Sequence, residues 1–387
     1  MPEPVVVALG RTPIGRAFKG SLVNWRGDDL AAFVAGRVLE EVPQLDPHAV
    51  DDLICGCGLP GGEQGFNLGR AVSILAGLNV PGTTVTRYCS SSLQTTRMAA
   101  HAIRCGEGDV FLSVGVEMIS RYGNGSSDPP AAQNPRLQPG NAEGHPDYYI
   151  AMGQTAENVA EREGISRGEM DRFGLRSQER AVAAEESGFF AREIVPVPLG
   201  DGALMTRDDG PRRDTSLEKL AALEPAFREG GRVTAGNSCP LNDGAAAVVV
   251  MSDTRARELR ITPVARIRAT GLCALEPEYM GMGPVAASRQ ALRRLGMTIS
   301  DVDLIEINEA FAAQVIPSAR ELGIDPFDDR LNPHGGAIAL GHPFGMTGAR
   351  ILCTLLNGLR ERDGTIGLET MCVGGGMGMA MVVERLS

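Results

Sequence analysis

The sequence predicts an α/β fold of two similar halves, with a loop domain inserted in the first. Three observations predict it. Strand-like and helix-like segments alternate through both ends of the chain. A motif recurs: Val50-Asp51-Asp52-Leu53-Ile54 near the start resembles Val302-Asp303-Leu304-Ile305 near the end. Between them, residues 119–245 lose the alternation. Alternation with short connections indicates parallel sheets covered by helices, and two such units would pack their sheets through those helices. The first half is then residues 1–118, completed by about 246–262, the inserted loop domain 119–245, and the second half 263–387.

Each element has a local reason. The first half opens with the apolar strand Val5-Val6-Val7-Ala8. Asp28 or Asp29 caps a helix whose Leu30, Phe33, Val34 and Val38 form one stripe. A strand at 52–57, a helix near 67–77, a strand at 83–87, a helix from about 90 to 104 and a strand at 110–114 follow. The second half begins at Val264-Ala265-Arg266-Ile267, and Pro284 opens its first helix. A strand at 303–307, a helix near 310–321, a glycine-rich turn at 333–341, a helix near 347–358 and strands at 366–371 and 378–383 complete it. Within the insertion, residues 122–146 are rich in Gly, Pro, Asn and Ser and read as an irregular surface loop. Ser166-Arg167-Gly168-Glu169 is a capping box for a helix that ends before Gly188. Insertions at strand ends often build the walls of binding sites.

Composition narrows the function classes. At about 150 residues per domain, 387 residues allow two to three domains. With 43% hydrophobic and 22% charged residues the chain is globular in type and not disordered. Asp and Glu total 48 against 37 Lys and Arg, so the net charge of −11 argues against nucleic acid or an anionic membrane as partner. No apolar run reaches the ~18 residues of a membrane span, and the N-terminus lacks a secretory pattern. The 8 cysteines are dispersed, as expected for a reducing, cytoplasmic compartment. The 49 glycines imply many tight turns and close backbone approaches.

Cys89 stands at a strand-to-helix turn, before Leu93-Gln94-Thr95-Thr96. The N–H groups of a helix start favour a thiolate there; a small buried residue is the plain alternative. The offset that aligns Asp52 with Asp303 carries Cys89 onto Leu340, beside His342. If the halves face each other, Cys89 and His342 meet as nucleophile and base. Asn308 and the run Cys372-Val373-Gly374-Gly375-Gly376 follow strands of the second half. A side-chain amide and glycine N–H groups are the donors an oxyanion needs, and a second thiol can act as acid or base. A helix cap is the plain reading of Asn308.

These motifs resemble the thiolase family, which comprises acetyl-CoA acetyltransferases and 3-ketoacyl-CoA thiolases. The resemblance runs through Arg11-Thr12-Pro13-Ile14-Gly15, Tyr88-Cys89-Ser90-Ser91, Met152-Gly153-Gln154-Thr155-Ala156-Glu157, Thr234-Ala235-Gly236-Asn237, Asn242-Asp243-Gly244-Ala245, Asn308-Glu309-Ala310-Phe311, Gly341-His342-Pro343 and Cys372-Val373-Gly374. It implies that Cys89 carries the acyl group, His342 takes its proton, and Cys372 moves the proton of the second half-reaction. Asn308 and His342 would form one oxyanion site, and the backbone N–H groups of Cys89 and Gly374 the other. Met152, Ser238, Cys239, Arg212 and Arg213 are candidates for contact with substrate or CoA. The resemblance implies coenzyme A as substrate, no further cofactor or metal, and a homodimer or homotetramer.

The sequence departs from the family at four places. Ser92 stands where many members have glycine, and its side chain needs room near the nucleophile. Cys239-Pro240 replaces Ser-Gly along the pantetheine arm. Ala151 replaces a histidine common in short-chain biosynthetic members, which favours a degradative thiolase over a biosynthetic acetoacetyl-CoA enzyme. His334 has no sequence-level account. Two other classes are weighed: a lipid carrier of the same fold without turnover, and an NAD-dependent oxidoreductase resting on Gly56-Cys57-Gly58-Leu59-Pro60-Gly61. Cys55 and Cys57 are expected on opposite faces of one strand, and Cys105, Cys273 and Cys353 in the core.

Overall fold

The computed structural model describes residues 1–124, 128–200 and 202–387. Residues 125–127, part of the expected surface loop, lie outside the described residues. The first half holds β1 (Pro4–Arg11), a two-residue β2 (Gly15–Arg16), α1 (Gly27–Glu40), β3 (Asp52–Cys57), α2 (Leu68–Leu75), β4 (Gly82–Val85), α3 (Ser91–Cys105) and β5 (Val110–Met118). The intervening stretch carries α4 (Met152–Arg162), α5 (Arg167–Glu186), the short pair β6 (Val197–Pro198) and β7 (Leu204–Met205), and α6 (Leu217–Ala221). Then come β8 (Asn242–Ser252) and α7 (Asp253–Glu258). The second half is β9 (Ala265–Ala274), α8 (Gly283–Arg293), β10 (Leu304–Ile307), α9 (Ala312–Leu322), α10 (Ala337–Leu340), α11 (Thr347–Glu361), β11 (Ile366–Val373) and β12 (Met377–Arg385).

The two halves repeat one strand order, running β1-β8-β5-β3-β4 and β9-β12-β11-β10 outward from the middle. Two expectations need correction. The sheets are mixed: β3 runs parallel to β4 and β5, whereas β8 is antiparallel to both β1 and β5. In the second half β12 returns directly from β11 through a tight turn, and a hairpin of that kind is necessarily antiparallel. The sheets are also not separate. A short antiparallel pairing, Val5 with Arg266 and Val6 with Ala265, joins them into one sheet of ten strands among the described residues.

The expected packing through helices is present beside that joint. Alternate residues of β8 serve two cores: Ala245, Ala247 and Val249 face α1 and α2, while Ala246, Val248 and Val250 face inward. The inner core collects Leu93 from α3, Leu352 and Leu355 from α11, and Met379 and Met381 from β12. Here α3 and α11 lie against each other; a Cβ on Gly348 would come 2.4 Å from the Leu93 backbone nitrogen. A third core packs α8, α9 and α4 on the far face of the second half.

Smaller differences are local. The cap of α1 is Arg26 without a side-chain bond, and Asp28 and Asp29 occupy its first turn, where acidic groups favour the helix dipole. The turn at 333–341 contains α10. Strand β8 begins at Asn242, inside the stretch assigned to the insertion. The capping box at Ser166 forms, with Glu169 returning the bond.

Candidate functional site

Cys89 sits in the turn between β4 and α3. After β4 the chain passes Tyr88, whose φ is 43°, and one 3-10 turn leads into α3. A left-handed backbone at a bulky residue costs about 1–3 kcal/mol and persists where its surroundings impose it. Ser91 does so: its hydroxyl donates to the Tyr88 carbonyl at 2.7 Å and accepts the Arg87 N–H at 2.9 Å. The Tyr88 hydroxyl also lies 2.7 Å from that of Tyr148, from the insertion.

The expected thiolate at this helix start needs correction. Burial dominates and pushes the Cys89 thiol up to about 11. The N–H groups of Gly374 and of Cys89 itself oppose that rise by favouring a charged sulfur. These two N–H groups therefore converge on the position of the thiol. Gly374 reaches it because β11 and β12 turn back within three residues. Gly375 and Gly376 make the turn possible: both have φ of 79°, and a Cβ on Gly376 would come 2.1 Å from the Leu275 carbonyl oxygen.

His342 comes from the other half and is buried. Aligning the starts of α3 and α11 sets Cys89 opposite Gly345, so His342 precedes the equivalent position in a longer turn. Its backbone N–H donates to Asn242 Oδ1 at 3.0 Å. The ring's hydrogen bonds fix its tautomer. Thr347 has one hydroxyl proton, which it donates to the Pro343 carbonyl at 2.7 Å. His342 Nδ1, 2.7 Å from the same oxygen, must then carry the ring proton. Nε2 is left with a lone pair, 3.3 Å from Asn308 Nδ2. Burial, with a smaller contribution from Arg350, lowers the imidazole to about 3, so the ring is neutral near pH 7.

Asn308 follows β10, held by its backbone N–H to the Thr370 carbonyl at 3.0 Å. It does not cap the next helix; Phe311 occupies that position. Its buried Oδ1 has no protein partner among the described residues. Cys372, near the end of β11, is buried and donates its S–H to Gln314 Oε1 at 3.2 Å. Burial holds its thiol well above the ordinary range, and charges on Cys89 and Cys239 add to that. The three thiols thus lie close enough to sense one another.

Beside Cys89 opens a cavity of about 300 Å³ lined by Leu59, Tyr88, Tyr148, Met152, Phe344 and Gly374, among others. Ala151 also lines it, directly before α4. Of the substrate-contact candidates, Met152 lies in this wall and Cys239 beside the thiols. The Ser238 hydroxyl is used internally, donating to the Thr234 carbonyl at 2.7 Å. Arg213 is paired with Glu185 and Glu186, which neutralises it. Arg212 makes no ion pair among the described residues. Both arginines line a separate depression with Gln178 and Glu186.

Other expectations resolve into structure. The Ser92 hydroxyl accepts the Ala349 N–H at 2.9 Å, tying α3 to α11 and pointing away from the cavity. His334 stacks on Phe189 at 3.6 Å and bonds Glu361 at 2.7 Å, with burial lowering it to about 4. The Gly58 and Leu59 N–H groups are taken by Glu117, and only a three-residue 3-10 turn, Gly62–Gln64, follows before α2 starts at Leu68, so no α-helix N-terminus meets that loop. Cys55 and Cys57, two residues apart, share a face and one core, as strand period requires. Cys105 ends α3 exposed and Cys273 is half-buried; Cys353 is buried. No cluster of three or more His, Cys, Asp or Glu side chains able to hold a metal occurs among the described residues. Thr347, Gln314 and Tyr148 join the site without having been singled out. Their partners are distant in sequence or fixed by turn geometry, so no local pattern marks them.

Comparison with known proteins agrees with this geometry. Family models for the thiolase N-terminal and C-terminal domains match residues 4–254 and 261–385. The chain is 44% identical to the 3-ketoacyl-CoA thiolase of Saccharophagus degradans, over 99% of this chain and 98% of that protein. It is 41% identical to the beta-ketoadipyl-CoA thiolase of Acinetobacter baylyi, each covered in full. Among solved structures, the Bacillus anthracis acetyl-CoA acetyltransferase superposes with a TM-score of 0.89 at 37% identity, covering 100% of this chain and 99% of that one. Human mitochondrial 3-ketoacyl-CoA thiolase in complex with CoA gives 0.90 at 34%, covering 100% and 98%. With matching models over both halves and full-length relatives at this identity, the chain belongs to the thiolase family of acyltransferases, which use CoA as substrate.

Proposed function

We propose that the chain cleaves 3-oxoacyl-CoA with CoA, in two steps through an acyl group on Cys89, giving acetyl-CoA and a shortened acyl-CoA. The observation that carries this is the convergence of the Gly374 N–H and the Cys372 thiol, from the second half, on the Cys89 thiol of the first; within the second half the lone pair of His342 meets the amide of Asn308.

The titration directions define the first step. A thiol near 11 and an imidazole near 3 form no resting ion pair. The proton passes to His342 Nε2 only as the Cys89 sulfur bonds to the keto carbon. Charge on the keto oxygen is met by the N–H groups of Cys89 and Gly374. The bond between C2 and C3 then breaks, and the leaving acetyl-CoA carbanion takes the Cys372 proton. Its enolate oxygen is met by Asn308, with His342 beside it. In the second step CoA loses its thiol proton to Cys372 and displaces the acyl group, and Cys89 recovers its proton from His342. The same residues run the condensation in reverse.

Degradative use, in fatty acid oxidation, is supported by the apolar cavity wall, by Ala151, and by relatives named 3-ketoacyl-CoA thiolase. Assembly as a homodimer or homotetramer is supported by β4, an edge strand, with exposed Phe66, Ile74 and Leu75 nearby. No helix of the described residues is long and apolar enough to cross a membrane. A cytoplasmic, reducing compartment is supported by the eight dispersed cysteines, all free. A spectrophotometric thiolysis series from acetoacetyl-CoA to longer 3-oxoacyl-CoAs tests the reading. Turnover that rises beyond the four-carbon substrate supports degradation, turnover confined to it supports biosynthesis, and none at any length contradicts an enzyme.

A further inference from the structure

Among the described residues Cys372 hydrogen-bonds one side chain, and none of the steps above uses it. Gln314 lies in the first turn of α9 and is 2% exposed. Its Oε1 accepts the Cys372 S–H at 3.2 Å, and its Nε2 faces Met280 Sδ at 3.8 Å. A thioether accepts hydrogen bonds only weakly. The side chain is clamped as well, since a Cβ on Gly281 would come 2.3 Å from Gln314 Cγ. A buried amide is therefore held between two sulfurs, with only one good bond. An apolar side chain of equal length would fill this space without the desolvation cost of an amide.

We propose that Gln314 is a positioning residue for Cys372: its amide oxygen aims the S–H proton, and rotation of the amide offers Nε2 to the sulfur once the proton has gone. The inference rests on the reading of Cys372 as proton carrier. A primary amide has both acceptor and donor, so one side chain serves both states of the thiol. With Met280 opposite, the resting orientation suits the protonated thiol, which is the form the carbon–carbon cleavage step consumes. The proton itself moves only between Cys372 and the substrate.

The test compares Gln314→Met, which keeps the length, with Gln314→Glu, which keeps an acceptor but loses the donor. Two readouts are taken on the full chain: kcat, KM and pH profile with acetoacetyl-CoA, and the infrared S–H band assigned by its loss in Cys372→Ala. In Gln314→Met, kcat falls about 10-fold or more, KM stays within about twofold, and the S–H band moves to the unbonded position. In Gln314→Glu the band remains bonded, and the alkaline limb of kcat moves to higher pH because a carboxylate disfavours the thiolate. Wild-type kcat and S–H band in Gln314→Met would overturn the proposal. If that variant does not fold, an unchanged pH profile in Gln314→Glu overturns it. A wild type without turnover removes the role of Cys372 instead, and the S–H band still reports whether Gln314 orients that thiol.

Discussion

The two halves share a strand order but differ in one connection. In the second half β11 reaches β12 through Gly374, Gly375 and Gly376. In the first, the equivalent passage from β5 to β8 runs through residues 119–241, with α4, α5 and α6. The short connection brings a backbone N–H to Cys89. The long one brings Tyr148 and Met152 over the same thiol as a wall. The common scaffold thus supplies chemistry from both sides, and the unequal connections supply a donor and an enclosure. The turns before α3 and α11 differ in the same way. The first is tight and presents Cys89; the second is longer, holds α10, and buries His342.

Removing what each half contributes breaks the comparison, from the largest effect down. Cys89→Ala, on the first-half turn, should lower thiolysis of acetoacetyl-CoA by about 10⁴-fold or more, since no acyl carrier remains. His342→Ala, on the opposite turn, should cost about 10³-fold in kcat at unchanged folding by circular dichroism. Asn308→Ala removes one oxyanion donor and should cost about 10²-fold in kcat with little change in KM.

Two stability measurements sharpen the comparison of connections. Gly376→Ala forces a Cβ into the Leu275 carbonyl at positive φ, and should destabilise by about 2 kcal/mol or more in urea unfolding. An alanine at Gly202, in the long connection, has positive φ but no atom near its Cβ, and should cost less. One further measurement concerns Glu306 on β10. Burial raises its carboxyl from 4.5 to about 8, so the folded chain keeps a proton that the unfolded chain loses. Stability from this group is lost as pH rises from 4.5 through about 8. Glu306→Gln should flatten that decline in melting temperature.

What the sequence made legible follows from how local each signal is. The strand and helix segments, the capping box at Ser166 and the duplicated Asp52 and Asp303 motifs depend on neighbours in sequence, and they could be read. The mixed direction of the sheets could not, because β8 enters from a distant stretch and hydrophobic alternation carries no direction. The repeat and the family motifs single out Cys89, His342, Asn308 and Cys372 as candidates. The state of the Cys89 thiol was not legible: a helix start is visible in sequence, but the surrounding burial that outweighs it is not. Arg213 was open for a similar reason, since Glu185 and Glu186 reach it from the end of α5. Cys105 shows the limit at a single residue, where the last position of α3 decides between core and solvent.

The proposed reaction turns on Cys89 carrying the acyl group. Mixing the chain with acetoacetyl-CoA in the absence of free CoA, quenching in acid and mapping peptides by mass spectrometry tests it most directly. An acetyl thioester is expected on the peptide containing Cys89, discharged when CoA is added. Acetyl on Cys239, Cys372 or Cys105 instead, or on no cysteine while acetyl-CoA is still released, would contradict it.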